Sequence, residues 1–159
     1  MAKNDRLEAA RIADQLRRAF EGGAWHGDSL FKILKGVTAA QAARPIPGAH
    51  TIWELVLHIA AWDGAVRRRL DGTAVRLSAA KNFPAVTDAS ETAWRAARAE
   101  VRHVHEELVA AVAALPDSRL RDMVPGKKGA HYTFYYMLHG VVQHELYHAG
   151  QIALLKKMD

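Results

Sequence analysis

Residues 133–158 read TFYYMLHGVVQHELYHAGQIALLKKM, a stretch free of proline. Steps of four and three along it select Met137, Val141, His144, His148, Gln151 and Leu155, which is the periodicity of one helix face. Three consecutive members of that stripe are polar. A buried polar group left without a partner costs about 1–3 kcal/mol on protein mutational scales, so two imidazoles and an amide on a core stripe require compensation. Four residues apart, His144 and His148 stack on one face with β-carbons about 5–6 Å apart, and both rings can turn toward one ion. A hydrogen-bonded or mildly solvated histidine pair is the ordinary alternative, and the core stripe argues against it.

Working outward, glycine and proline cut the rest of the chain into long blocks at Gly22-Gly23, Pro45 to Gly48, Gly72, Pro84, Pro116 and Pro125 to Gly129. Residues 7–20 place Ala9, Ile12, Leu16 and Phe20 on one side and Arg6, Arg17 and Arg18 away from it, so a first long helix is expected. Two short helical connectors are expected at residues 29–35 and 38–44, the second opening with Thr38 and Gln41 in capping-box spacing. Thr51-Ile-Trp-Glu54 is another capping box and starts a helix to residue 70. Residues 71–89 are longer than most connections and are expected to cross the molecule rather than to cover a site. A third long helix follows, with Asp88 and Glu91 as caps and Trp94, Ala97, Val101, Val104, Leu108, Ala111 and Leu115 as an apolar seam. Pro116 ends it, and a basic loop through Lys127-Lys128 leads to the fourth. No strand alternation competes. The expectation is an all-α fold, a four-helix bundle with a long connection between the second and third helices, forming a single domain over residues 1–159.

A third ligand for the histidine pair should come from a facing helix. His58, in Leu57-His58-Ile59-Ala60-Ala61-Trp62-Asp63, lies about two turns inside the second block and can meet the others at mid-bundle. Three imidazoles leave a divalent ion with open positions, as a catalytic site requires. A nitrogen-rich site does not separate ions by affinity order alone; zinc and nickel are the ions expected. His144-Glu-Leu-Tyr-His148 also spells the H-E-x-x-H of zinc proteases. Only eleven residues follow His148, none of them His or Glu, and Gln151 and Leu154 occupy the glycine and histidine positions of the extended motif. A protease is therefore not expected.

Two further residues are candidates for a catalytic role. Glu145 could orient or deprotonate a bound water, although a carboxylate next to a ligand is commonly supporting or solvated. Gln151, one turn after His148, could bond substrate or a ligand's second nitrogen. Glu54 is explained by its cap, and Trp62 and Tyr147 as site lining at most. Gly140 and Gly150 imply either close helix contact or room for a ligand. The histidines at 26, 50, 103, 105, 131 and 139 fall in loops or off the seams, where solvent-facing roles suit them; His105 is the one that invites inspection.

Composition narrows the classes. The chain has 159 residues, half of them hydrophobic, which suffices for a core. Without cysteine it has no disulfide, thiolate metal site, thiol nucleophile or iron–sulfur cluster. Its formal charge of +5 is spread over Arg17-Arg18, Arg67 to Arg69, Lys127-Lys128 and Lys156-Lys157. With no stacking platform or reading motif, nucleic acid is not an expected partner. No apolar run approaches the length of a membrane span and no cationic leader precedes one, so a cytoplasmic chain without membrane contact is expected.

His58 within Leu-x-x-His-Ile-Ala-x-Trp, followed after a long gap by His144-Glu-Leu-Tyr-His148-Ala-Gly-Gln-Ile, resembles the DinB-like (YfiT-like) superfamily of metal-binding bundles. The resemblance extends to Trp25-His-Gly-Asp-Ser-Leu, Thr51-Ile-Trp-Glu and Gly150-Gln-Ile-Ala-Leu-Leu. It implies a four-helix bundle with a long connection between helices 2 and 3, a divalent ion held by three histidines, all present here, and a homodimer. Similar members include S-transferases that use low-molecular-weight thiols such as bacillithiol or mycothiol, a mycothiol-dependent isomerase, and proteins described as metal-dependent hydrolases. The family's DNA-damage label refers to induction and implies no DNA chemistry. A metal with open positions can lower the pKa of a bound thiol or of water. The expected function is thus a metal-dependent S-transferase or hydrolase acting on a small-molecule substrate. The competing class is a metal- or ligand-binding stress protein without turnover.

Overall fold

A computed structural model describes residues 7–126 and 132–158. The expectations placed on Lys127-Lys128, Gly129 and His131, and on the extreme ends of the 1–159 domain, lie outside the described residues. The described residues are helical, with no strand and only two isolated bridges, Ile46 to Ala49 and Met123 to Thr133. Four helices are long: α1 (Leu7–Phe20), α4 (Ile52–Leu70), α6 (Glu91–Ala114) and α7 (Phe134–Leu155). Three are single turns, α2 (Leu30–Ile33), α3 (Ala39–Ala42) and α5 (Ala79–Asn82), and a 3-10 turn occupies Asp117–Arg121. Both α4 and α1 pack against α6 and α7. No helix among the described residues is long and apolar enough to cross a membrane.

The helix starts follow from local chemistry. Thr38 with Gln41, and Thr51 with Glu54, form reciprocal capping boxes at α3 and α4. The cap of α6 differs from expectation: Ser90 receives the Ala93 amide, while Asp88 accepts the Ser90 amide one step earlier. Glu91 instead accepts the amide of Ala39, tying α6 to the start of α3. At α1 the cap is tertiary, because Asp117 accepts the amides of Glu8 and Ala9 at 2.9 Å each. Those two bonds hold its carboxyl below the ordinary range.

The apolar core is divided in two. One cluster gathers Phe20, Leu30, Leu34, Trp53, Ile59, Trp94, Val101 and Ile152; the other gathers Ile12, Leu16, Val66, Leu108, Phe134 and Val141. Between Ile59 and Val66 on α4 lies buried Asp63, between Val101 and Leu108 on α6 lies His105, and beyond Val141 on α7 lies Glu145. A polar layer thus separates the two halves. This corrects the seam expected on α6: the buried positions are Trp94, Val101, His105, Leu108 and Val112, and Val104 and Ala111 stand beside them.

Candidate metal centre

His58 from α4 and His144 and His148 from α7 converge as the sequence leads one to expect. The Nε2 of His144 lies 2.9 Å from Nε2 of His58 and 3.1 Å from Nε2 of His148, and each ring has a donor atom within 4.8 Å of the others. Two of the rings have their tautomer set by neighbours. The Nδ1–H of His58 donates to the carbonyl of Asn82 at 2.6 Å, and that of His148 donates to Oε1 of Gln151 at 2.6 Å. Neutral rings so arranged present bare Nε2 lone pairs inward.

That arrangement tests whether an ion fits. A neutral His144 carries one ring proton, which at Nε2 could serve one of the two facing lone pairs well and would leave its own Nδ1 an acceptor. That Nδ1 is buried and has no hydrogen-bond partner among the described residues. A single cation satisfies three inward lone pairs together, and imidazole nitrogens binding through one atom while the other donates to oxygen are the usual form of such ligands. Burial also keeps the rings unprotonated. It pulls His144 down to about 3, aided by His148 and His58. Burial lowers His58 and His148 as well, against the opposing bonds from Asn82 and Gln151.

The surroundings are aromatic. Phe83 stacks on His58 at 4.0 Å between ring centres, and His50 stacks on the far face of Phe83 at 3.7 Å. Trp62 meets His144 edge to face with ring centres 5.9 Å apart and donates its indole N–H to Asn82 Oδ1. The connection expected over residues 71–89 to cross the molecule rather than to cover a site instead covers the imidazoles, through Asn82 and Phe83. Tyr147 packs its ring against His148 yet remains exposed. Glu54 does what its capping box requires: Oε2 accepts the Thr51 amide at 2.8 Å, which lowers its carboxyl pKa.

Two cavities meet the centre. One of about 500 Å³ is lined by His148 and Gln151 together with His50, Phe83, Tyr147 and Met158. The other, of about 220 Å³, is lined by His144 with Trp62, Arg69, Tyr132 and Gly140. A third hollow, between α2 and α7, is lined by none of the three histidines. A Cβ built on Gly140 or Gly150 meets nothing within 4 Å, so these glycines leave space rather than allow close helix contact.

Glu145 faces elsewhere. Its Oε1 accepts from Nδ1–H of His105 at 2.9 Å, and Asp63 Oδ2 lies 3.1 Å from the same nitrogen. All three side chains are at most 1 % exposed, and they form a second group of closely spaced donor atoms. Burial opposes a charge on His105, but the bonds from Asp63 and Glu145 outweigh it and raise the ring to about 10. Burial raises both carboxyls, and the neighbouring Asp63 adds to the rise of Glu145. An ion here would have to displace the imidazolium proton, so the three imidazoles are the better metal site. Glu145, expected as a possible base beside the ligands, is held in this internal network.

Asp63, Asn82 and Phe83 escaped the sequence reading, and His105, singled out there for inspection, was given a solvent-facing role although it is buried. For Asp63 the signal existed: Ile52, Val56, Ile59, Asp63, Val66 and Leu70 are all buried at steps of four and three. The same holds for His105 once the α6 stripe is phased one residue later. Asn82 and Phe83 lie in an irregular segment, where no periodicity points to a contact.

No curated protein and no solved structure matches the chain. A sequence model of the DinB superfamily matches residues 23–152, a span that contains all three imidazoles, both capping boxes and the covering segment. By that match the chain belongs to the DinB superfamily.

Proposed function

We propose that His58, His144 and His148 hold one divalent metal ion, zinc or nickel, and that the chain is a metal-dependent S-transferase acting with a low-molecular-weight thiol. The observation that carries this is the convergence of three Nε2 atoms from two helices, two of them with the opposite nitrogen committed to an oxygen acceptor. When bound, such an ion supplies Lewis acidity that holds a thiol as thiolate near neutral pH. The protein's own residues orient and shield. Asn82 and Gln151 fix the tautomers of His58 and His148, and Phe83 covers the His58 ring against solvent. Glu145 supports α7 through His105 and takes no proton at the centre.

Transfer is favoured over hydrolysis because separate cavities reach the centre from the His148 side and the His144 side, which suits two molecules rather than one molecule and water. The reading includes a four-helix bundle of α1, α4, α6 and α7 with its long connection at residues 71–90. It also includes a homodimer, supported by the exposed apolar side chains of Trp25, Leu154 and Met158.

The test is thiol conjugation to a panel of electrophiles, with metal-loaded and chelator-stripped protein side by side. Metal-dependent conjugation is expected. Metal-dependent ester cleavage without conjugation would move the reading to a hydrolase, and no turnover with either class would favour a binding protein.

A further inference from the structure

Arg69 stands near the C-terminal end of α4 and is only 8 % exposed. Its Nε and Nη2 donate to the carbonyl of Val75, Nη1 reaches the Tyr132 hydroxyl at 3.4 Å, and the guanidinium lies 5.5 Å from the Trp62 ring centre. All of these partners are neutral. Among the described residues no carboxylate lies within salt-bridge distance of it. Buried charges are ordinarily paired, because removing an ion from water is costly unless a counter-charge replaces the solvent.

This cation, with no carboxylate partner among the described residues, lines the cavity of about 220 Å³ whose other walls are Trp62, Val66, Tyr132, Tyr136, Met137, Gly140 and Val141, and which also includes His144. The cavity therefore offers one fixed positive fork, an otherwise apolar and aromatic wall, and one face toward the imidazoles. With the Nε–Nη2 edge held by the Val75 carbonyl, the hydrogens left for a ligand are those at the Nη1–Nη2 end, and such a guanidinium end favours a carboxylate. Gly140 leaves the interior clear, since a Cβ there would meet no atom within 4 Å.

We propose that this cavity is a substrate subsite for a small monocarboxylate with an aromatic or branched apolar body, its carboxylate against Arg69. The body lies on Trp62, Val66 and Met137. That the ligand's opposite end points to a reacting centre rests on the metal reading; the binding of the carboxylate does not.

Calorimetric titration of the purified protein with benzoate, and with benzyl alcohol as its neutral counterpart, tests this in metal-loaded and chelator-stripped samples. Benzoate should bind in both samples and at least tenfold more tightly than the alcohol. The preference should vanish in Arg69→Gln. Gly140→Leu, which places a side chain in the cavity and leaves Arg69 itself in the chain, should abolish benzoate binding while metal content stays unchanged, and it serves if Arg69→Gln does not fold. Equal binding of acid and alcohol, benzoate binding that survives Gly140→Leu, or binding lost on metal removal alone would overturn the proposal. A protein that takes up no metal but shows the Arg69-dependent preference would refute the metal reading and leave the subsite standing.

Discussion

An imidazole ring has two nitrogens, and the chemistry of each histidine here is set by what the second one does. The Asn82 carbonyl and the Gln151 amide oxygen can only accept, so His58 and His148 carry their protons outward and offer lone pairs inward. Partners of this kind raise ligand basicity and fix ring orientation, and their loss ordinarily costs 10- to 100-fold, roughly, in metal affinity. Gln151→Leu should therefore weaken metal binding by about that factor, read by competition against a chromogenic chelator, with the helical circular-dichroism signal retained. Unchanged affinity would mean that Gln151 is merely a packing residue. His144 lacks such a partner among the described residues, and burial, aided by His148 and His58, keeps it neutral.

At the scale of single elements, caps decide where helices start, and α6 offers a clean comparison. Ser90 holds the cap while Asp88 accepts the Ser90 amide. Ser90→Ala should cost about 1 kcal/mol in urea unfolding, as cap deletions typically do, and Asp88→Ala distinctly less. The reverse order would restore the cap first read from the sequence. Long helices were legible because residues 7–20, 51–70 and 133–158 carry clear periodicity, reinforced at Thr51 by a capping box, and α1 and α4 begin and end where that pattern does. Phase was harder. On α7 the stripe through His144 and Gln151 is the flank of the buried face, and the middle is held by Phe134, Leu138, Val141, Glu145 and Ile152. A one-residue rotation left Glu145 looking like a neighbour of the site when it belongs to the interior. The single-turn α5 was not legible, since so short a helix has no face to repeat.

Across the whole molecule, the layer of Asp63, His105 and Glu145 joins α4, α6 and α7 between two apolar halves. Removing one member of a buried charged network is ordinarily strongly destabilising. For His105 the sign follows from its raised pKa. The folded value of about 10 exceeds the ordinary imidazole value of 6.5, so its charge stabilises the fold fully below about 6.5, and that contribution is lost as the pH rises through about 10. The stability difference between the wild type and His105→Gln, from denaturant unfolding, should be largest in mild acid and shrink across that alkaline window. A constant difference would show that the ring is neutral in the fold. The same network supplies the control for the metal site, because its donor atoms form the other group able to hold an ion. Elemental analysis of purified protein, beside His58→Ala, His148→Ala and Glu145→Gln, is thus the most direct measurement. One divalent ion per chain is expected in the wild type and in Glu145→Gln, and a sharp loss in both histidine variants with helical content retained. Metal that persists without His58 and His148, or a wild-type chain that takes up none, would contradict the three-imidazole centre.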